Sequence, residues 1–146
     1  MESRTTAPGK RLDPRAGAVT AKEALAEKRY FSRCPLDVGA IGNRTWGFLH
    51  TMSVYLPEGE LAQDQQTDLT QFVRAFSRLY PCDHCAGDFR AEVKKEPPVV
   101  TSGRGFAQWL CRQHNQVNVK LGKPEFDCAR VYERWRDGPK DGSCDG

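Results

Sequence analysis

The chain has 146 residues, of which 38% are hydrophobic and 28% charged, with a formal net charge of +3. That length supports one domain with its own core, and the positive balance is too mild to argue for nucleic acid by itself. No apolar run is long enough to span a bilayer, and none follows Met1 as a secretory signal would require.

Residues 1 to 33 read as a flexible, basic N-terminal arm. Pro8, Gly9 and Pro14 alternate with Lys10, Arg11 and Arg15 without apolar periodicity. The stretch Ala21 to Arg29 could form a short helix, but it offers little to bury. Residues 34 to 146 form the expected domain. Ile41, Thr45, Phe48, Leu49, Met52 and Tyr55 recur at helical spacing until Pro57 stops them. Trp46 and His50 stand one turn apart on a neighbouring strip of that helix. A histidine on an apolar face is more often a satisfied core residue than a ligand, although Trp46 is close enough to stack on it. Leu69, Phe72, Val73, Phe76, Leu79 and Tyr80 predict a second helix. A third starts at Cys82 and ends before Pro97-Pro98, and residues 99 to 104 read as loop. The fourth begins near Gly105, buries Phe106, Trp109, Leu110, Val117 and Leu121, and exits at Gly122 and Pro124. Cys128 to Trp135 suggests a short last helix. No segment has strand periodicity, so the expectation is an all-α four-helix bundle with a short fifth helix.

The chemistry gathers at two places. Tyr80-Pro81-Cys82-Asp83-His84-Cys85 puts two cysteines at a helix start, where backbone N–H groups and the helix dipole favour a thiolate or half of a metal site. On the fourth helix, Cys111, His114, Asn115 and Asn118 share one ribbon, with Lys120 and Lys123 following. Donors beside an apolar stripe suit a flat heteroaromatic ligand carrying phosphates; the bland alternative is a solvated helix side. Cys82, Cys85, Cys111 and His114 also spell a Cys3His zinc set, with a gap longer than zinc fingers use. Cys111 and Cys128 bracket a turn that a disulfide could close, worth roughly 3 kcal/mol in the chain-entropy model. Cys34 and Cys144 are left to pair within the chain, between chains, or not at all. Six cysteines are many for a reducing cytosol and few for a secreted scaffold without a core. An oxidising compartment reached without a signal peptide, such as the mitochondrial intermembrane space, satisfies both facts.

Taken together, Tyr80-Pro81-Cys82-x-x-Cys85, the run Phe106 to Cys128 containing Cys111-x-x-His114-Asn115-x-Val117-Asn118-x-Lys120, and Glu133 to Asp145 closely resemble the FAD-linked sulfhydryl oxidases of the augmenter of liver regeneration type. The resemblance runs from about Cys34 to Asp145. It implies a helical bundle that holds FAD at one end and forms a disulfide-linked homodimer. Cys82 and Cys85 would be the redox-active pair, with Cys85 against the flavin and Cys82 toward the incoming thiol. Trp46, His50, Tyr55, Cys111, His114, Asn115, Val117, Asn118, Lys120, Lys123, Arg134 and Trp135 match FAD-contacting positions, as do Gly42, Asn43, Arg44 and Thr45. Cys111 and Cys128 match a structural disulfide, and Cys34 and Cys144 an intersubunit one. The implied activity oxidises protein or small dithiols and passes electrons to oxygen or cytochrome c, with no metal. A CHCH-type intermembrane-space import receptor is an expected partner, and the cytosol is an alternative location for a short form. Two departures stand out. No second, shuttle CxxC precedes Cys34, which fits a core form or a partner that reduces Cys82–Cys85 directly. Asp83-His84 also replaces the acidic pair common between the cysteines. Two readings from other classes remain: the zinc-binding interaction module, and a cytokine-like helical protein whose disulfides are only structural.

Replacing His84 by Glu is expected to disfavour the adjacent thiolate and so lower the potential of the Cys82–Cys85 couple. A redox titration of the dithiol checks this, and an unchanged midpoint would contradict it.

Overall fold

The computed structural model describes residues 20–31 and 33–145, with only the backbone described for 27–31. Five α-helices follow in order among them: α1 (Ala21–Phe31), α2 (Val38–Val54), α3 (Gln63–Leu79), α4 (Asp83–Lys95) and α5 (Gly103–Lys120). The chain then makes a 3₁₀ turn at Cys128–Arg130 and continues into a π-helical turn at Glu133–Asp137. Among the described residues there are no strands, only one antiparallel bridge between Glu60 and Ser102. The expected all-α bundle is present as α2 to α5, with the C-terminal turns as its short fifth element. Of the arm expected over residues 1 to 33, residues 1–19 and residue 32 lie outside the described residues. The described part opens at Thr20 with a capping box, in which Thr20 and Glu23 exchange bonds to each other's backbone N–H at 3.2 and 3.0 Å. As its sequence suggests, the described side chains of α1, residues 21–26, are exposed, Leu25 among them.

Caps explain where the boundaries differ from periodicity. Helix α2 starts at Val38 rather than Ile41, because Asp37 Oδ1 accepts the Ala40 N–H at 2.7 Å. Helix α5 takes in Gly103 and Arg104, read from sequence as loop, because Ser102 Oγ accepts the Gly105 N–H at 3.0 Å. Its first N–H groups are met from outside: Gly103 and Arg104 donate to the carbonyls of Gly59 and Glu58 at 3.2 and 3.1 Å. Three residues expected in the core are exposed instead: Phe48, Leu79 and Leu121. At about 100° per residue, Phe48 falls on the side of α2 opposite Leu49, His50, Ser53 and Val54. Leu79 lies about a quarter turn off the stripe of Leu69, Val73 and Tyr80.

Helix α2 runs antiparallel to α5, since Trp46 meets His114 while Val54 shares a cluster with Ala107. The main core joins Leu49, Leu61, Leu69, Val73, Phe106, Trp109 and Leu110. Trp109, fully buried, gives its Nε1–H to the Glu96 carbonyl at 2.9 Å, so the largest core side chain leaves no donor unpaired. A second cluster of Val54, Ala107, Cys111, Val131 and Tyr132 fastens the C-terminal turns to the bundle. The Cys111–Cys128 disulfide reinforces it, with Cα atoms 5.8 Å apart. The Arg104 and Arg136 guanidinium groups lie 4.9 and 4.6 Å from the Tyr132 ring centre, and both pair with Glu58.

Helix α5 can approach the α2–α3 loop this closely only because residue 103 has no side chain. A Cβ there would sit 2.0 Å from the Pro57 carbonyl oxygen. Gly103→Ala is therefore expected to cost about 2–3 kcal/mol, read from urea unfolding midpoints.

Candidate active site

The site is built at the end of the bundle where α2 and α4 begin and α5 finishes. Pro81 and Cys82 turn the chain into α4, with Cys82 as the N-cap residue and its Sγ accepting the Cys85 N–H at 3.3 Å. Cys82 and Cys85 are disulfide-bonded, with Cα atoms 5.3 Å apart. Periodicity put Cys82 inside the first turn; as cap it instead directs its sulfur at the orphan N–H groups, where thiolate charge is best received. His84 is exposed, with Nε2 3.5 Å from Asp88 Oδ2 one turn later.

Cys85 opens onto a groove between α2, α4 and α5. One cavity, about 610 Å³, runs from Cys85 past Tyr80, Phe89 and Val117 to Trp46 and His114. A second, about 490 Å³, continues from Trp46 and His114 to Lys123, Arg134 and Trp135. Asn43, Trp46, His114, Asn118 and Lys123 line both, so the two are one trough. It brings together Gly42, Asn43, Thr45, Trp46, His50, Cys111, His114, Asn115, Val117, Asn118, Lys120, Lys123, Arg134 and Trp135. The ribbon on α5 thus faces a groove, not solvent. Two expected residues lie elsewhere. Arg44 gives Nη1–H to the Ala40 carbonyl at 3.2 Å on an exposed side of α2. Tyr55 packs against the cluster around Val54 and Cys111. Sequence reasoning missed Tyr80, Asp88, Phe89, Glu92 and Phe126, which also line the groove. A strip of His84, Asp88 and Glu92 at i, i+4 and i+8 was the available clue for two of them.

The wall is stacked rings. Trp46 and His114 lie nearly parallel, 5° apart with centres separated by 4.3 Å, and His50 stacks on Trp135 at 4.8 Å. His50 Nε2 and His114 Nδ1 share a hydrogen bond of 2.8 Å that crosses from α2 to α5. Burial, reinforced by His114 and Arg134, pushes the His50 imidazole down to about 3. Burial and then Lys123 push His114 down to about 4. Both rings are neutral at pH 7, so one donates and the other accepts. Asn115 spends its amide on positioning. Its Nδ2–H donates to the Phe126 carbonyl at 2.9 Å, and its Oδ1 accepts the Phe126 N–H at 2.8 Å. Asn118 Nδ2–H donates to the same Oδ1 at 3.2 Å.

Residues 43–136 match the Erv1/Alr family model. The chain belongs to the Erv1/Alr family. It is 37% identical over 125 residues to the mitochondrial FAD-linked sulfhydryl oxidase ERV1 of Saccharomyces cerevisiae, covering 84% of this chain and 66% of that protein. To the FAD-linked sulfhydryl oxidase ERV1 of Oryza sativa subsp. japonica it is 41% identical, covering 74% of this chain and 55% of the relative. The chain thus spans between about half and two thirds of the length of the ERV1 relatives from Saccharomyces cerevisiae, Oryza sativa subsp. japonica and Arabidopsis thaliana. Among solved structures, the yeast Erv1 core superposes with a TM-score of 0.71 at 37% identity, covering 73% of this chain and 90% of that one. The FAD-binding domain of Erv1 from Saccharomyces cerevisiae gives 0.69 at 37% identity, covering 73% and 100%.

The zinc reading is overturned. It needs Cys111 as a free thiolate, whereas Cys111 is buried and bonded to Cys128. Cys34 and Cys144 are exposed and unpaired within the chain.

The histidine pair makes stability acid-sensitive. Both pKa values in the folded chain lie below the ordinary 6.5, so the unfolded chain binds more protons in that window. Stability from this pair is complete above pH 6.5 and is lost as pH falls toward about 4 and then about 3. Denaturation midpoints measured across that range check it; a flat profile from 6.5 to 4 would contradict it.

Proposed function

We propose that this chain is an FAD-dependent sulfhydryl oxidase, with Cys82–Cys85 as the disulfide that substrates reduce. One observation carries the reading: Cys85, half of a disulfide at a helix start, opens onto a ring-lined groove with cations at its far end. The residues present fit FAD. Trp46, Tyr80, Phe89 and Val117 supply flat apolar wall, His114 and Asn118 offer edge hydrogen bonds, and Lys123 and Arg134 suit a pyrophosphate. His50 and Trp135 continue the ring wall toward the Lys123 and Arg134 end. Asn115 works through Phe126, holding the loop that closes this end. When bound, FAD supplies a two-electron acceptor that can return electrons to oxygen or to cytochrome c.

The chain's own chemistry is thiol–disulfide exchange. A substrate thiolate attacks Cys82 Sγ, forming a mixed disulfide, while the Cys82–Cys85 bond breaks and Cys85 leaves as thiolate. The second substrate thiolate attacks the substrate sulfur of that mixed disulfide, releasing Cys82 thiolate and the oxidised product. Two electrons now reside on the Cys82/Cys85 pair. The Cys85 N–H and the start of α4 stabilise the Cys82 thiolate as it departs.

Residues 34 to 146 would form the oxidase domain and residues 1 to 33 an arm. Exposed Cys34 and Cys144 suit an intersubunit disulfide in a homodimer. Dithiol proteins are the substrate class, with a CHCH-type import receptor as one candidate. Relatives named mitochondrial in two yeasts support a mitochondrial location, and the cysteine content suits the intermembrane space. Among the described residues no helix is long and apolar enough to cross a membrane.

The test is the visible spectrum of the purified protein, followed by dithiothreitol in air. The expected result is a flavin band that bleaches and returns as hydrogen peroxide appears, with Cys85→Ser retaining the band and losing turnover. A colourless protein, or turnover that survives Cys85→Ser, would overturn the reading.

A further inference from the structure

The Cys85 end of the groove carries a charge arrangement that the oxidase chemistry above does not use. Asp88 and Glu92, one turn apart on α4, line this cavity together with Lys120 from α5. Lys120 Nζ lies 3.5 Å from Glu92 Oε1 and 3.8 Å from Asp88 Oδ2, bridging the two helices across the groove. The Glu92 side chain is 15% exposed and that of Asp88 44%, so water screens Glu92 less. Lys95 Nζ also pairs with Glu92 Oε1 at 3.0 Å, but its own side chain is 71% exposed. The hydrogen bond from Lys95, with a lesser contribution from Lys120, holds the Glu92 carboxyl below the usual carboxylate range, so it is charged at neutral pH.

We propose that Glu92 sets the reduction potential of the flavin through its own charge in the cavity wall, opposed by the Lys120 ammonium with which it pairs. The inference rests on the flavin reading above. Cys85 and Glu92 line one cavity, so a ring that takes electrons from Cys85 would occupy the cavity that this cluster lines. Two-electron reduction of a flavin at neutral pH takes up two electrons and one proton, so the bound group gains one negative charge. Glu92 and Asp88 oppose that gain and Lys120 favours it. Asp88 and Glu92 are the carboxylates that line this cavity, against Lys120 and Lys123, and Glu92 is the less exposed and so the less screened of the two. The Lys120 ammonium keeps Glu92 from depressing the potential further.

The experiment is a midpoint titration of the holoprotein flavin against a reference dye. It is run in a Cys82→Ser, Cys85→Ser background, so that the dithiol couple does not overlap. Glu92→Gln is expected to raise the ratio of reduced to oxidised flavin about tenfold at fixed potential, about 30 mV for a two-electron couple. Lys120→Gln should shift the midpoint the opposite way, and Glu92→Asp, which keeps the charge, should stay near the parent. The double variant Glu92→Gln, Lys120→Gln should return toward the parent, because the two charges cancel as a pair. A merely structural role would move thermal stability and leave the midpoint in place. A yellow protein whose midpoint is unmoved by both Glu92→Gln and Lys120→Gln overturns this inference alone. A colourless protein overturns the flavin reading, and this inference with it.

Discussion

The seam between α2 and α5 is the constraint on which the groove depends. Two neutral histidines join across it, and the bond is lost once both rings are charged and neither can accept. Trp46 and Trp135 stack on the outer faces of that pair, so one polar contact aligns four rings contributed by three separate stretches of chain. The antiparallel course of the two helices then places the start of α2 beside the end of α5. Asn43, His114, Asn118 and Lys123 meet there only for that reason.

The C-terminal turns are held to this frame by several independent ties. The Cys111–Cys128 disulfide is one. Gln108 Nε2–H donates to the Cys128 carbonyl at 2.8 Å, Asn115 grips Phe126 through both of its backbone groups, and Glu58 pairs with Arg136 at 2.8 Å. These ties matter because the turn carrying Arg134 and Trp135 is short and contributes little apolar area of its own. Without them a π-helical turn would have no reason to persist. They also convert residues distant from any sulfur into supports for the ring-lined end of the groove.

At the other end, the start of α4 serves two ends with one feature. The unpaired N–H groups of a helix N-terminus need acceptors, and Cys82 Sγ provides one. The same groups would stabilise a thiolate if the disulfide were opened. Structure and reactivity therefore select the same residue at the same position, with the carboxylates and lysine further along α4 and α5 adjusting the local charge.

Much of this was legible in the chain itself. Apolar spacing marked α3 and the interior of α5, Pro57 and Pro97-Pro98 marked stops, and Gly122 adopts the positive φ of 68° that a helix exit needs. The Cys82-x-x-Cys85 and Cys111-x-x-His114-Asn115 motifs placed Cys85, Cys111, His114 and Asn115 in the groove, because each is local and helical geometry carries local spacing into space; Trp46, Arg134 and Trp135 came from the family resemblance. What periodicity could not supply was the partner of each polar group. It could not say that His50 meets His114, that Cys111 is bonded to Cys128 and so not available to zinc, or that Asn115 holds Phe126. Nor could it tell Phe48 on the outer face of α2 from Leu49 on the inner one. By itself the sequence determined where helices form and that Cys82 and Cys85 sit together at a helix start, since those depend on neighbours within a turn or two. Only the tertiary structure decided which side chains face each other across the groove, because that depends on how helices far apart in the chain pack and which buried donors then find acceptors.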